Sequence, residues 1–208
     1  MAELDLLFAD AHCLVVVKPA DLPSVPGRSA ELQDCLWRRV QTACPDALVV
    51  HRLDMATSGL MLFARGAAAQ RTLSIAFAQR RVQKHYVALV AGTVTDDAGR
   101  IDLPLGADWP NRPRQQVDSE RGKPSLTHYT VLHRDRETTR LRLEPHTGRS
   151  HQLRVHLQAI GHPIVGDRLY APPAVQAQAP RLLLHASGIA FEHPAHATPL
   201  RFQHEAPF

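Results

Sequence analysis

One block of the sequence places a carboxylate two residues after a guanidinium group. His51-Arg52-Leu53-Asp54 lacks a helical pattern and is predicted to be extended, so that Arg52 and Asp54 project to the same side of the chain. A nearby cation favours the ionised form of a carboxylate, and an ionised Asp is a competent nucleophile. A surface ion pair ahead of a strand is the commoner explanation of this spacing, so the block by itself leaves both interpretations open.

A second block couples positive charge to the start of a helix. Gly148-Arg149-Ser150 precedes a helix predicted over residues 150–160, and free backbone N–H groups at a helix start attract anions. Because Arg149 adds charge there, a phosphate or an acidic side chain could bind. The apolar stripe of this helix comprises Leu153, His156, Leu157 and Ile160. Arg154 falls off the stripe, and a capped helix with a solvated Arg154 is the alternative.

Tyr86 is a candidate for contact with a ring system. It lies in a strand predicted over residues 85–91, and in an extended chain it shares one face with Lys84 just before that strand. Its ring could stack on a nucleobase, or its hydroxyl could donate a hydrogen bond. A Tyr that lines a strand with its hydroxyl at the surface is the commoner case.

The segment from Asp108 to Pro124 is rich in proline and in basic residues, namely Arg112, Arg114, Arg121 and Lys123. We predict an exposed basic loop here. Such a loop could track a phosphate backbone. A loop that only improves solubility explains the same composition.

The composition narrows the class of protein. The formal net charge is +4 and the pI is about 9.3, which is compatible with a nucleic-acid partner. The N-terminus lacks a signal peptide's basic region, and no apolar run approaches the roughly 20 residues of a membrane span, so we expect a soluble, cytoplasmic protein. We also expect free thiols at the three cysteines and, because the histidines lack zinc-motif spacing, no metal.

Apolar periodicity predicts three helices, over residues 31–43, 67–80 and 150–160. Strands are predicted over residues 13–17, 58–64, 85–91, 127–132, 140–143, 182–189 and 200–204. The strands at 127–132 and 140–143 are expected to pair antiparallel. No internal repeat or sharp change in composition divides the chain. We therefore predict an α/β (α+β) fold with a mixed, largely antiparallel sheet.

Four sequence blocks together resemble those of the RluA-type pseudouridine synthases. The blocks are VVVKPADLPSVPG, HRLDMATSGLMLFA, KHYVALV and EPHTGRSHQLRVHLQAIGHPIVGDRLY, and they occur in the order found in that family. The resemblance covers nearly the whole chain and is highly specific. It implies a single pseudouridine synthase catalytic domain over residues 1–208, without an S4-type RNA-binding domain. It also implies a curved sheet flanked by helices, with the catalytic cleft across the sheet.

The resemblance also implies roles for individual residues. Asp54 is the expected nucleophile, and Arg52 is expected to enter the RNA stack where the uridine leaves. Tyr86 is expected to pack on the target uracil, and Arg154 to form an ion pair with Asp54. The expected RNA contacts are Arg28, Arg112, Arg114 and Arg149.

The expected reaction converts uridine to pseudouridine and, since no atoms are gained or lost, needs no redox cofactor. Motifs such as DWPNRP and APRLLLHA resemble a branch of the family that acts on both large-subunit ribosomal RNA and tRNA anticodon stem-loops, so RNA is the expected partner of a monomeric enzyme. The alternatives are an enzyme specific for tRNA or for rRNA, or a non-catalytic RNA-binding protein. A metal-dependent RNA phosphodiesterase would need clustered ligands that the sequence does not show.

Overall fold

The computed structural model describes residues 4–208 and divides into two compact units. Unit 1 comprises the described part of Met1–Lys84 together with His185–Pro207. Unit 2 comprises His85–Leu184 and Phe208. Within residues 4–208, no helix combines the length and the apolar character that a membrane crossing requires.

Strands predominate over helices in the described part of the chain. The strands are β1 (Leu6–Ala9), β2 (Cys13–Lys18), β3 (Ala47–Val49), β4 (Ser58–Arg65), β5 (Gln83–Ala91), β6 (Ala98–Asp102), β7 (Leu105–Ala107), β8 (Gln115–Val117), β9 (Leu126–Arg134), β10 (Thr138–Pro145), β11 (Leu184–Glu192) and β12 (Pro199–Gln203). The helices are α1 (Leu36–Ala43), α2 (Gly66–Ala78), α3 (Gln152–Ala159) and α4 (Pro173–Gln176).

The centre of unit 1 is formed by β2 and β4, two nearly uninterrupted apolar runs that are buried along their length. The strand order is β1-β2-β4-β11, with β3 also paired to β4 and β12 to β11. These pairings are antiparallel except that of β4 with β11, which is parallel. Helix α2 places Leu73 in the core with Leu60 and Leu62, so the strand that follows Asp54 is packed against a helix.

Unit 2 contains the antiparallel order β5-β10-β9-β6 and a separate hairpin of β7 and β8. Helix α3 lies against β8. Val155 of this helix packs with Leu105 and Tyr170 in a small buried cluster. The helix that carries Arg154 and the hairpin that carries part of the basic segment therefore belong to the same unit.

The predicted fold class, a mixed and mostly antiparallel α/β structure, is confirmed. Helix α2 and the antiparallel pairing of β9 with β10 also follow the sequence-based predictions. The single catalytic domain and the cleft across the sheet stay predictions.

The predicted helix over residues 31–43 is wrong in its first turn. Ala30–Leu32 forms a separate 3-10 turn, and α1 begins only at Leu36 because Cys35 has an extended backbone. The N–H groups of Leu36 and Trp37 donate to the carbonyls of residues 23 and 24, so a distant loop satisfies the helix start. Leu32, assigned to the apolar stripe, is 37% exposed.

The basic segment after residue 108 is not a continuous loop, because β8 forms within it and pairs with β7, Leu105 lying opposite Val117. Helix α3 also begins later than predicted. His151, the residue before it, has a left-handed backbone with φ of 54° and makes no side-chain cap. Both errors concern backbone pairing and local conformation that apolar patterning does not encode.

Candidate active site

The segment that carries Asp54 is irregular and is attached to the core through Leu53. Residues 51–54 have no helical or strand assignment, and a turn at Met55 and Ala56 leads into β4. The hydroxyl of Ser24 donates to the carbonyl of Leu53 at 2.7 Å and accepts from its N–H at 3.1 Å. Leu53 is buried, Asp54 is half-buried and Arg52 is exposed. The two polar side chains therefore flank a residue whose backbone is held on both sides.

Lys18, at the end of β2, anchors the turn after Asp54. Its side chain is fully buried, and its ammonium group donates to the carbonyls of Pro19 at 2.8 Å, Leu22 at 2.7 Å and Met55 at 2.8 Å. Burial lowers the pKa of Lys18 to about 7, while the carboxylates of Asp21 and Asp54 act to raise it. Lys18 thus interacts electrostatically with Asp54 and holds the carbonyl of Met55.

Sequence reasoning assigned no role to Lys18. The available signal was a Lys-Pro pair directly after a buried apolar strand, within a block shared with the family. A Lys in that place cannot reach solvent easily, and its three donors need acceptors inside the protein.

His51 fixes the beginning of the extended segment. Its ring stacks on Phe77 of α2 with centroids 4.6 Å apart, and its Nε2 accepts from the N–H of Leu62 at 2.9 Å. Burial lowers the pKa of His51 to about 3, with a further contribution from the cation of Lys84. The imidazole is therefore neutral at physiological pH and serves as a structural acceptor.

The other end of the segment is held where β4 meets β11. The Ser58 hydroxyl and His185 Nδ1 form a buried hydrogen bond of 2.9 Å, and His185 Nε2 continues to His204 at 3.0 Å. Gly59 has φ of +112°, and a Cβ there would lie 2.3 Å from the carbonyl oxygen of Ala186. Only Gly permits this close approach, so the strand after Asp54 has a defined position.

Arg154 is buried, contrary to the solvated interpretation. Its Nε donates to Asp167 Oδ2 at 2.8 Å and its Nη2 to Asp167 Oδ1 at 2.7 Å, with side chains 5% and 0% exposed. The apolar stripe did not predict the burial of Arg154, because every residue of α3 from Gln152 to Leu157 is buried. No motif in the sequence singled out Asp167, and the pairing of Arg154 with Asp54 stays a prediction.

Tyr170 is a second residue that sequence reasoning left without a role. The Arg154 guanidinium lies 4.9 Å from its ring centroid, and that of Arg114 lies 5.6 Å away. Its hydroxyl bonds to His151 Nδ1 at 2.6 Å and accepts from the N–H of Gln115 at 2.8 Å. Tyr170 therefore joins the helix of Arg154 to the β7–β8 hairpin within unit 2.

The other predicted site residues differ in exposure. Tyr86 lies in β5 opposite Leu143 of β10 and is half-buried. Among the expected RNA contacts, Arg28, Arg112 and Arg149 are exposed, whereas Arg114 is half-buried and its guanidinium donates to the carbonyl of Leu169. The N–H of Arg149 donates to the side chain of Gln152 at 3.1 Å, so this donor at the start of α3 already has a partner.

One group among the described residues has the composition of a metal site, formed by Asp10, Cys13 and His193 within 4.8 Å of one another. His193 Nε2 bonds to Asp10 at 2.7 Å, while its Nδ1 accepts from two backbone N–H groups. Burial raises the pKa of the Cys13 thiol to about 12. The arrangement is that of a hydrogen-bonded link between the turn that joins β1 to β2 and the turn that follows β11. The expected absence of a metal stays a prediction.

Comparison with known proteins assigns the class. The RNA pseudouridylate synthase family model matches residues 12–159, a range that includes Asp54, Tyr86 and Arg154. The chain therefore belongs to the RNA pseudouridylate synthase family, and the predicted isomerase activity class is confirmed.

Two curated relatives are about half identical to this chain over nearly its whole length. The chain is 51% identical over 204 residues to the dual-specificity RNA pseudouridine synthase RluA of Yersinia pestis, covering 98% of this chain and 99% of that protein. The corresponding RluA of Escherichia coli K12 is 50% identical over 206 residues, covering 99% and 94%. The resemblance to RluA-type enzymes is thereby confirmed.

Solved structures support the same fold. Human RNA Pseudouridylate Synthase Domain Containing 1 superposes with a TM-score of 0.83 at 29% identity, covering 99% of this chain and 84% of that one. Human RNA Pseudouridylate Synthase Domain Containing 4 gives a TM-score of 0.77 at 24% identity, covering 97% and 88%. At that identity the second likeness concerns the fold alone.

Proposed function

We propose that the protein isomerises uridine to pseudouridine in both large-subunit ribosomal RNA and tRNA anticodon stem-loops, with Asp54 as the catalytic carboxylate. The observation that carries this proposal is the placement of Asp54. It is half-buried on a segment held by Ser24 and by the buried ammonium of Lys18. The dual substrate is supported by the high identity to relatives named as dual-specificity RNA pseudouridine synthases.

The reaction breaks the N1–C1′ glycosidic bond, turns the uracil and joins its C5 to C1′. A carboxylate can assist by attacking C1′, by abstracting a proton to give a glycal, or by adding to C6 of the uracil. Each route needs Asp54 ionised at the start. Asp54 interacts electrostatically with Lys18, because its carboxylate acts to raise the pKa of that buried amine.

Arg52 suits the role of replacing the departing uridine in the RNA stack. Extrusion of a base costs a few kcal/mol, and a planar guanidinium can offset part of this by stacking and by pairing with phosphate. Arg52 is exposed while its neighbour Leu53 is buried, so the side chain is accessible to RNA and its backbone is fixed.

Tyr86 and Arg154 are proposed to act on the target base and on Asp54, respectively. The Arg154 guanidinium already has defined geometry through its bidentate contact with Asp167, which favours an electrostatic role over that of a mobile phosphate contact. Tyr86 is half-buried in a paired strand and suits stacking on uracil or relaying the C5 proton. Arg28, Arg112, Arg114 and Arg149 are proposed RNA contacts of a cytoplasmic, monomeric enzyme.

The Asp54→Asn variant tests the central assignment. Tritium release from RNA containing 5-tritiated uridine is expected to fall below detection, while retention of the RNA on filters stays close to that of the wild type. Asp34→Asn is the matched control, because it removes an exposed carboxylate from the same unit and is expected to retain activity. Near-normal turnover by the Asp54 variant would reject the nucleophile assignment.

Two RNA substrates separate the alternatives. The wild-type protein is expected to release tritium from both a tRNA anticodon stem-loop and a ribosomal RNA hairpin. Release from only one would restrict the function to that class. Binding of both without release would indicate a non-catalytic RNA-binding protein.

A further inference from the structure

The β7–β8 hairpin presents an exposed tryptophan that the proposed chemistry does not use. Trp109 lies in the turn that joins the two strands, residues 108–114, called here the hairpin tip. At 67% it is the most exposed large apolar side chain in the described part of the protein. A single exposed apolar side chain is common on protein surfaces, so it is the groups around Trp109 that indicate a ligand.

The hairpin tip is held in its conformation by hydrogen bonds within the tip itself. The N–H of Asp108 donates to the carbonyl of Arg114 at 3.0 Å, and the N–H of Asn111 donates to the carbonyl of Asp108 at 3.1 Å. The side-chain amide of Asn111 also donates to both carboxylate oxygens of Asp108 at 2.9 and 3.1 Å. The tip is therefore preorganised, which lowers the entropy cost of binding there.

The chemical groups at the tip match a single-stranded nucleic acid. The Arg112 guanidinium lies 4.9 Å from the centroid of the Trp109 ring, so the tip presents an aromatic surface and a cation side by side. Any nucleobase can stack on an aromatic ring, and an Arg can pair with a phosphate of the adjoining backbone. The one acidic group within the tip, Asp108, is engaged with Asn111. An apolar protein partner would need a contiguous apolar patch, whereas apart from two prolines the other residues of the tip are polar or charged.

The tip is also connected to the arginine that we assign to catalysis. Arg114, its last residue, donates to the carbonyl of Leu169 and lies over the Tyr170 ring. The same ring lies beside the Arg154 guanidinium at 4.9 Å. All of these residues belong to unit 2, so RNA bound at the tip would be held by the element that positions Arg154.

We propose that Trp109 stacks on an unpaired base of the substrate RNA while Arg112 contacts a neighbouring phosphate. The inference rests on the proposed function, because the ligand is the substrate stem-loop itself. It assigns to this hairpin a binding site for a base other than the target uridine.

The protein contains two tryptophans, which makes the contact directly measurable. Trp37 is half-buried, and its indole N–H donates to the carbonyl of Ala47 at 2.9 Å. In a Trp37→Phe variant Trp109 is the sole tryptophan, and stacking on a base is expected to quench its fluorescence on titration with the anticodon stem-loop. The quench should saturate with the Kd given by filter retention. Saturated retention with unchanged Trp109 emission would overturn the proposal.

Substitutions at the tip provide the second test. Trp109→Ala is expected to weaken RNA binding roughly 5- to 150-fold, the range measured for loss of one base–aromatic stack, and Trp109→Phe to restore most of it. The salt dependence of Kd should stay unchanged in Trp109→Ala, whereas Arg112→Ala should reduce its slope by about one. Ile75→Ala, which truncates an exposed side chain of α2, is the matched control.

The outcomes separate this inference from the function on which it rests. Normal tritium release together with unaltered binding by Trp109→Ala would reject the stacking site and leave the isomerase intact. Absence of both binding and release by the wild type would reject both. A wild-type dimer that Trp109→Ala converts to a monomer would show that a second copy of the chain covers the indole, which also overturns the proposal.

Discussion

Replacing Lys18 by Met tests whether the buried ammonium beside Asp54 loses its proton readily in the folded protein. The substitution keeps a long unbranched side chain but removes the charge and all three donors. The carbonyl of Leu22 then loses a buried donor, and those of Pro19 and Met55 lose partly buried ones. An unsatisfied buried acceptor costs about 1–3 kcal/mol.

The loss of these hydrogen bonds is opposed by a gain, because the substitution removes the cost of burying the Lys18 charge away from water. The pKa of Lys18 falls from 10.5 to about 7 on burial. Since each pKa unit corresponds to about 1.4 kcal/mol, the charged form is disfavoured in the folded state by about 5 kcal/mol. The lost hydrogen bonds and the relieved charge are similar in size, so the change in stability at one pH is not diagnostic.

The pH dependence is diagnostic, and its sign follows from the direction of the shift. Because the unfolded chain holds the Lys18 proton more tightly, unfolding takes up a proton between about pH 7 and pH 10.5. The contribution of Lys18 to the free energy of unfolding therefore rises with pH across that window. Between about pH 7 and pH 9 the wild type should gain about 2 kcal/mol relative to Lys18→Met.

Urea denaturation of both proteins at several pH values measures this difference, and groups common to both chains cancel. Lys123→Met, which removes an exposed ammonium, is the control. A difference that stays constant from about pH 7 to pH 9 would refute the reasoning, because it would mean that the three carbonyls and the nearby carboxylates keep Lys18 charged. Turnover by Lys18→Met should fall more than RNA affinity, since the turn after Asp54 loses its anchor.

Two further predictions concern packing and the buried ion pair. Gly59→Ala should lower the free energy of unfolding by at least about 4 kcal/mol, because the added Cβ would overlap the backbone of β11 and the φ of Gly59 is positive. Gly66 also has a positive φ but open space around it, so Gly66→Ala should cost only about 1–2 kcal/mol. Thermal denaturation of both variants measures the difference. Asp167→Asn should cost about 3–5 kcal/mol and reduce turnover, because it leaves the buried guanidinium of Arg154 without its charge partner. Asp97→Asn, at an exposed ion pair, should cost less than about 1 kcal/mol by urea denaturation, and equal losses at both sites would contradict the assignment.

Several features of this protein were determined by the sequence alone. The family followed from four ordered blocks, and the absence of a helix before Asp54 followed from the lack of a helical pattern. Helix α2 and the pairing of β9 with β10 followed from apolar periodicity. These properties depend on residues close together in the chain, where spacing and residue type carry most of the information.

Other features were decided only by tertiary structure. Lys18 donates to a carbonyl 37 residues away in the sequence. Arg154, which lies on a helix whose apolar stripe suggested that it was exposed, pairs with Asp167. Tyr170 joins an arginine on α3 to one on the β7–β8 hairpin, and the start of α1 is set by carbonyls of a distant loop. In each case a buried polar group must find its partner inside the protein, and the partner is brought near only when the chain folds.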